Sequence, residues 1–420
     1  MKPLFLMMLA LSLTGLCSCG SGKQNSQSIQ AKILFSLEYG LQDRMIGLPE
    51  GRTNDLELYM REGIFHILDP VSEKILRSSS YGDLLSVIYD PASAPAPSFG
   101  RLADVSLGES SDAEAGREGR YAAQTSFVQA SRLSVDSAQR IYVADRLADP
   151  GMAVIDPLTG LYCDWIIRRF GENGRELQFL GREGALGSAF AKIASIDCLS
   201  DDSLVVVSNS GSLQTVYRFS SDARLLSSFG IDSALLPIPL ELLDSGKENS
   251  PSEKIHADLE GILPMIDASG FNIILKINYY REVAGPEALG SIGLEDSGSW
   301  IFSMDGRTGS QNFGFRLAPS EFAGEEGELL GIYKEGFLLA SPQAYVEENA
   351  GGTGSGQSIP EERRTLRLLD HSGKALYSAE IRLPGEKGLL KSLRLSSTGQ
   401  LYGIYLGESE VELLWWELPF

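Results

Sequence analysis

The chain has 420 residues, 43% of them apolar and 22% charged, with 56 Asp and Glu against 36 Lys and Arg and a formal net charge of −20. That composition is globular rather than disordered, and the length suits one large closed β architecture or two ordinary domains. A polyanionic partner such as DNA or RNA is disfavoured, because phosphates need a basic surface, and three His argue against a His-rich metal enzyme.

The first element is an export signal. Lys2 precedes an apolar run from Leu4 to Cys17, shorter than the roughly 20 residues a membrane-spanning helix needs and right for the core of a signal peptide. Leu16-Cys17-Ser18-Cys19 resembles a bacterial lipobox, with a small residue at the cleavage point and the Cys19 thiol as acceptor of the diacylglycerol. Residues 1–18 are therefore expected to be a lipoprotein signal peptide and Cys19 the lipidated first residue. Residues 19–30 are expected to form a flexible tether, whose Gly20 to Gln30 stretch spans about 18 Å as a random coil. Acylation at Cys19 would itself be the membrane anchor.

From residue 31 onward, short apolar or alternating runs recur, broken by Gly, Asp, Ser or Pro, which is strand grammar rather than helix grammar. Leu56 to Ile75 reads as a second and third strand, a turn at Asp69-Pro70 and a fourth strand. Polar insertions are expected near 90–119, 242–258, 281–298 and 347–364. Trypsin should cut first around the outer two, at Arg117, Arg120, Arg363 or Arg364. Leu133-Val135, Ile141 to Asp145, Met152 to Ile155 and Leu161 onward read as four strands, with turns at Asp136 to Arg140 and Asp156 to Gly160. Ser195 to Phe229 repeats the pattern, as do Ile262 to Ile277 with Trp300 to Gly309, and Gly331 to Ala340 with Thr365 to Ile381. Leu393 to Leu406 aligns with Leu133 to Arg146 without a gap. Turns between third and fourth strands are placed near Asp69, Asp156, Ser220, Asp305 and Asp370.

Strand, Asp-rich turn, strand, D-x-x-G turn, strand is how a propeller blade reads. RLSVDSAQRIYVAD with VIDPLTG resembles the NHL-type propeller repeat, with Gln139 where that repeat usually has its turn Gly. The whole chain also resembles a group of spirochaetal envelope lipoproteins. The expected fold is an all-β, six-bladed β-propeller over 31–420, with blades near 40–88, 125–172, 190–232, 258–316, 326–384 and 388–420. The last blade shows three strands. Ile33 to Tyr39 should supply its fourth and close the ring, with Ile33, Phe35, Leu37 and Tyr39 on the buried face.

The chemical signals are sparse. Gly351 to Gly356 lacks the Lys and the strand-to-helix setting of a phosphate loop. Nothing in the sequence places His66, His256 and His371 together. Asp136, Asp145, Asp197 and Asp267 recur near strand ends. Enzymatic six-bladed propellers of the lactonase-like kind bind a divalent ion there, whereas turn Asp residues ordinarily cap backbone N–H groups. Cys163 and Cys198 read as buried free thiols, with a disulfide the alternative in an exported protein. Trp415 and Trp416 should face opposite sides of one strand. The reading that follows is a non-enzymatic propeller, lipid-anchored to a bacterial membrane at the cell envelope, which binds or scaffolds a protein or glycan partner and needs no cofactor or metal. The alternatives are a metal-dependent hydrolase or lactonase with carboxylates in the central channel, and an envelope assembly scaffold.

Overall fold

A computed structural model describes residues 27–47, 56–98, 120–157, 159–243, 254–284, 292–317, 327–334, 336–341, 344–346, 361–383 and 388–419. Six antiparallel sheets follow one another along the chain as blades. From inner to outer strand, the first holds Glu57–Arg61, Ile64–Asp69, Lys74–Ser79 and Leu84–Tyr89, with Tyr121–Gln124 added in parallel at its edge. The second holds Arg132–Val135, Ile141–Arg146, Trp165–Phe170 and Glu176–Gly181, with Gly184–Ala185 outermost. The third holds Lys192–Cys198, Leu204–Ser210, Leu213–Phe219 and Leu225–Asp232. The fourth holds Ile255–Asp267, Gly270–Ala284, Ile292–Asp305 and Gln311–Arg316. The fifth holds Glu328–Tyr333, Gly336–Ala340, Glu361–Leu369 and Ala375–Arg382, with Ala344–Val346 beside the third of these. The sixth holds Gly388–Leu395, Leu401–Gly407 and Glu410–Trp416.

Lys32–Glu38 is the fourth strand of the sixth blade, antiparallel to Glu410–Trp416. The N-terminal strand thus closes the ring against the last blade and covers the edge that Glu410–Trp416 would otherwise leave bare. Phe35 and Leu37 are buried as the alternation requires, but Ile33 is 49% exposed. A register shift between Ile33 and Phe35 turns Ile33 out of the buried face, as a bulge does.

Six core clusters hold the ring, and each straddles one junction between neighbouring blades. Middle strands are therefore buried on both faces. Leu204 and Val206 pack toward the second blade, while Val205 and Val207 pack toward the fourth. This two-sided burial explains the continuous apolar runs such as Leu204 to Val207. A one-sided sheet would show alternation instead.

Several boundaries differ from the expected ones. Asp69 opens the turn between the second and third strands of its blade, so every strand assigned from Leu56 onward shifts by one. In the second blade, Val154–Ile155 and Tyr162–Cys163 form a small separate hairpin, and Trp165–Phe170 is the true third strand. The apolar pair on each side of Asp156 to Gly160 mimicked a blade turn. Gln27–Gln30 lies in parallel beside Ala375–Arg382, with Ile29 buried, so the last part of the expected tether is strand. Ile255 to Asp258, Arg281 to Ala284, Ile292 to Gly298 and Glu361 to Arg364, all inside expected insertions, are also strand. The signal peptide, Cys19 and the loop 351–356 lie outside the described residues, in which no helix is long and apolar enough to cross a membrane.

Candidate functional site: the central channel

Along the inner strands of the first three blades, apolar and polar residues largely alternate. Leu58 and Met60 enter the core between blades, as do Leu133 with Val135 and Ile196 with Cys198. Their neighbours Glu57 and Tyr59, Arg132, and Ser195 and Asp197 line a central cavity of about 800 Å³. Asp267, Glu328, Lys334, Arg364, Lys391, Arg394 and Tyr402 complete its charged and aromatic lining.

Glu57 is the hub. One carboxylate oxygen pairs with Arg132 Nη1 at 2.6 Å and the other with Arg394 Nη2 at 2.7 Å, and Arg132 Nε also donates to the Ala194 carbonyl at 2.8 Å. The Tyr59 hydroxyl donates to the Cys198 carbonyl at 3.3 Å, the Ser134 hydroxyl accepts from Cys198 N–H at 2.8 Å, and the Tyr402 hydroxyl accepts from Met60 N–H at 3.2 Å. These bonds tie the inner parts of the sixth, first, second and third blades around one carboxylate.

Burial opposes the Arg394 charge, but Glu57, Tyr402 and Asp197 together hold its guanidinium above the ordinary range. Burial pushes the Asp197 carboxyl up, Arg394 draws it back, and Glu57 pushes it up again. Burial also raises Glu328, against the pull of Arg364 and Arg394. The Tyr59 and Tyr402 hydroxyls are raised chiefly by burial and stay protonated. The channel thus sets charges of both signs, held in fixed positions by hydrogen bonds, against an apolar wall from Ile262 to Ile266 and Leu329 to Ile332.

The four aspartates read from the sequence do not converge. Asp136 is fully buried in its turn, accepting from Arg140 N–H and the Tyr142 hydroxyl, both at 2.9 Å. Asp145 accepts from the N–H groups of Val128, Gln129 and Arg146 and pairs with Arg168 at 3.2 Å. Asp267 sits at the channel mouth and caps Ser269 N–H at 2.7 Å. Only Asp197 faces the channel without a capping duty. Among the described residues, no three His, Cys, Asp or Glu side chains gather as a metal site.

The histidines are apart. His66 is buried in the first blade, His256 meets Glu282 at 2.6 Å in the fourth, and His371 packs edge-on against Phe313 and Phe337 at the junction of the fourth and fifth. Cys163 and Cys198 are free and buried. Trp416 is core, while Trp415 is half-buried beneath Lys32.

Sequence reasoning missed Glu57, Arg132 and Arg394. Their signal is a charged residue in an otherwise apolar inner strand, as in Leu56-Glu57-Leu58 and Leu393-Arg394-Leu395.

No family model and no curated protein matches the chain. Among solved structures it is similar to a protein of unknown function from Bacteroides caccae, at 11% identity over 79% of this chain and 83% of that one, with a TM-score of 0.34. It is also similar to a DUF4221 family member from Bacteroides vulgatus, at 8% identity over 94% and 99%, TM-score 0.37. A glucose dehydrogenase gives 10% identity over 92% and 99%, TM-score 0.37. At these values the likenesses carry no argument about family or activity, and the propeller rests on the strand pairing itself.

Proposed function

We propose that the chain is a lipoprotein of the cell envelope, anchored to a bacterial membrane through lipid on Cys19, whose propeller is a non-enzymatic binding or scaffold module for a protein or glycan. The supporting observation is the state of the channel acids. Glu57 is taken by two arginines and Asp267 caps its own turn, Asp197 carries no capping bond, and among the described residues no three His, Cys, Asp or Glu side chains gather as a metal site. A metal-dependent hydrolase or lactonase needs several oxygen ligands aimed at one point. A binding module needs a rigid polar cavity, and fold alone decides neither. The NHL-like and spirochaetal lipoprotein resemblances point the same way, through the lipobox and the repeat around Asp136.

The anchor is tested by labelling cells with an azido fatty acid. Cys19→Ala should abolish labelling and release the protein from the membrane fraction. Labelling that survives in Cys19→Ala and disappears in Cys17→Ala would place the lipid on the other thiol and overturn the assignment.

A further inference from the structure

Antiparallel strands sort a propeller's connections into two sets. Links between second and third strands, and links from an outer strand to the next blade's inner strand, emerge at one end of the ring. First-to-second and third-to-fourth turns emerge at the other, and here all of them are two to five residues long. The expected insertions all fall in the first set. Of nineteen large apolar side chains exposed among the described residues, twelve stand in connections of the first set and one, Tyr81, in the second.

Two of these connections hold their apolar side chains outward by burying the neighbours. In the hairpin of the second blade, Val154 and Cys163 pack onto Leu147, Ile166 and Ala189. The alternate pair, Ile155 and Tyr162, faces solvent at 69% and 55% exposure. Between the third and fourth blades, Leu236 and Leu242 pack into the core while Leu235 and Leu240 project at 81% and 75%. A link that only crosses the ring needs no such residues, and apolar patches of this kind mark contact surfaces.

Charge narrows the occupant. Residues 147–164 contain Asp149, Asp156 and Asp164 and no Lys or Arg, and residues 233–243 contain Glu241 and no base. Asp156 and Asp164 are matched from outside by Arg182 and Arg146, while Asp149 and Glu241 make no ion pair with a described residue. On a chain of net charge −20, a second copy would set acid against acid, and an anionic bilayer would repel the same face.

We propose that the insertion-bearing end of the ring docks a protein that presents an apolar patch within a basic rim, with Ile155, Tyr162, Leu235 and Leu240 as anchors. The proposal rests on the binding-module reading but not on the channel. A photo-crosslinking phenylalanine analogue placed at Leu240 or Tyr162, and as controls at Tyr81 or Leu376, tests it in intact cells. The expected result is a discrete adduct from Leu240 and Tyr162 only, identified by mass spectrometry as a basic protein. It should weaken at least tenfold in high salt and vanish in Leu235→Ser with Leu240→Ser, a variant that should melt like its parent. Adducts confined to Tyr81 or Leu376 would overturn this surface while sparing the binding-module reading. Adducts to phospholipid or to a second copy would overturn the choice of partner, and absence of adducts at all four positions would overturn this surface while leaving the channel-based binding reading standing.

Discussion

The recurrent turn shows how one residue sets a local cost. Asp136 to Arg140, Ser220 to Arg224, Asp370 to Lys374 and Ser396 to Gln400 share one geometry: a side-chain oxygen at the first position accepts the fifth residue's N–H. The fourth position is left-handed, with Gly373 at φ 82° and Gly399 at φ 78°, but Ala223 at φ 64° and the larger Gln139 at φ 57° also occupy it. A side chain there is strained, and the Gln139 amide oxygen is also buried without a partner. Gln139→Gly is expected to stabilise by about 1 kcal/mol after its unfolded-state entropy is counted, read as a higher midpoint in urea. His66 makes the opposite kind of statement. Burial, then the Arg77 charge, lowers its pKa to about 3 from 6.5. Its folded pKa lies below the unfolded one, so its contribution is full above pH 6.5 and is lost as pH falls toward 3. The loss should approach about 1.4 kcal/mol per pH unit in that window. His66→Leu should flatten the acid limb of stability against pH relative to the parent, and parallel acid limbs would contradict the buried neutral imidazole.

At the scale of the strand, ring closure is the decisive element. Phe35 meets Phe65 edge-on at 5.9 Å, and Phe35 and Leu37 share a core with Leu58, Ile404 and Leu413. Burying each is worth roughly 1.5 to 3 kcal/mol, and a buried charge in its place adds a desolvation penalty. Phe35→Asp with Leu37→Asp should therefore consume most of a typical 5 to 15 kcal/mol stability. Ile33→Asp, at an exposed bulge position, should stay within about 0.5 kcal/mol. Thermal melts of the three proteins check both. The same register logic revises where protease cuts. Arg363 and Arg364 pair with Arg382 and Ile381 inside the fifth blade, so of the described sites early trypsin cleavage is expected at Arg120, which is exposed, and not at those two; Arg117 lies outside the described residues.

For the whole molecule, six interblade cores and the Glu57 hub make one cooperative ring. Removal of a bound structural ion would lower its melting temperature, because an ion at a hundredfold excess over its dissociation constant adds about 2.7 kcal/mol. Among the described residues no three His, Cys, Asp or Glu side chains converge, which argues that EDTA leaves the melting temperature unchanged. A fall with EDTA that calcium reverses would revive the metal-dependent hydrolase.

The blades were legible in the sequence because their signals are local: turn residues at fixed spacing, and apolar runs too short for helices and bounded by Gly, Asp and Ser. Ring closure was legible too, because Ile33 to Tyr39 is an unpartnered strand facing a three-stranded blade. Which turn joins which strands was not, since Asp156 to Gly160 closes a two-residue ladder with the same residues that close a blade. The channel was the least legible part. Glu57 and Arg394 lie 337 positions apart, and only the closed ring brings them to 2.7 Å. A lone charge in a strand announces that one face is polar; its partner is chosen by which strands the tertiary fold sets side by side.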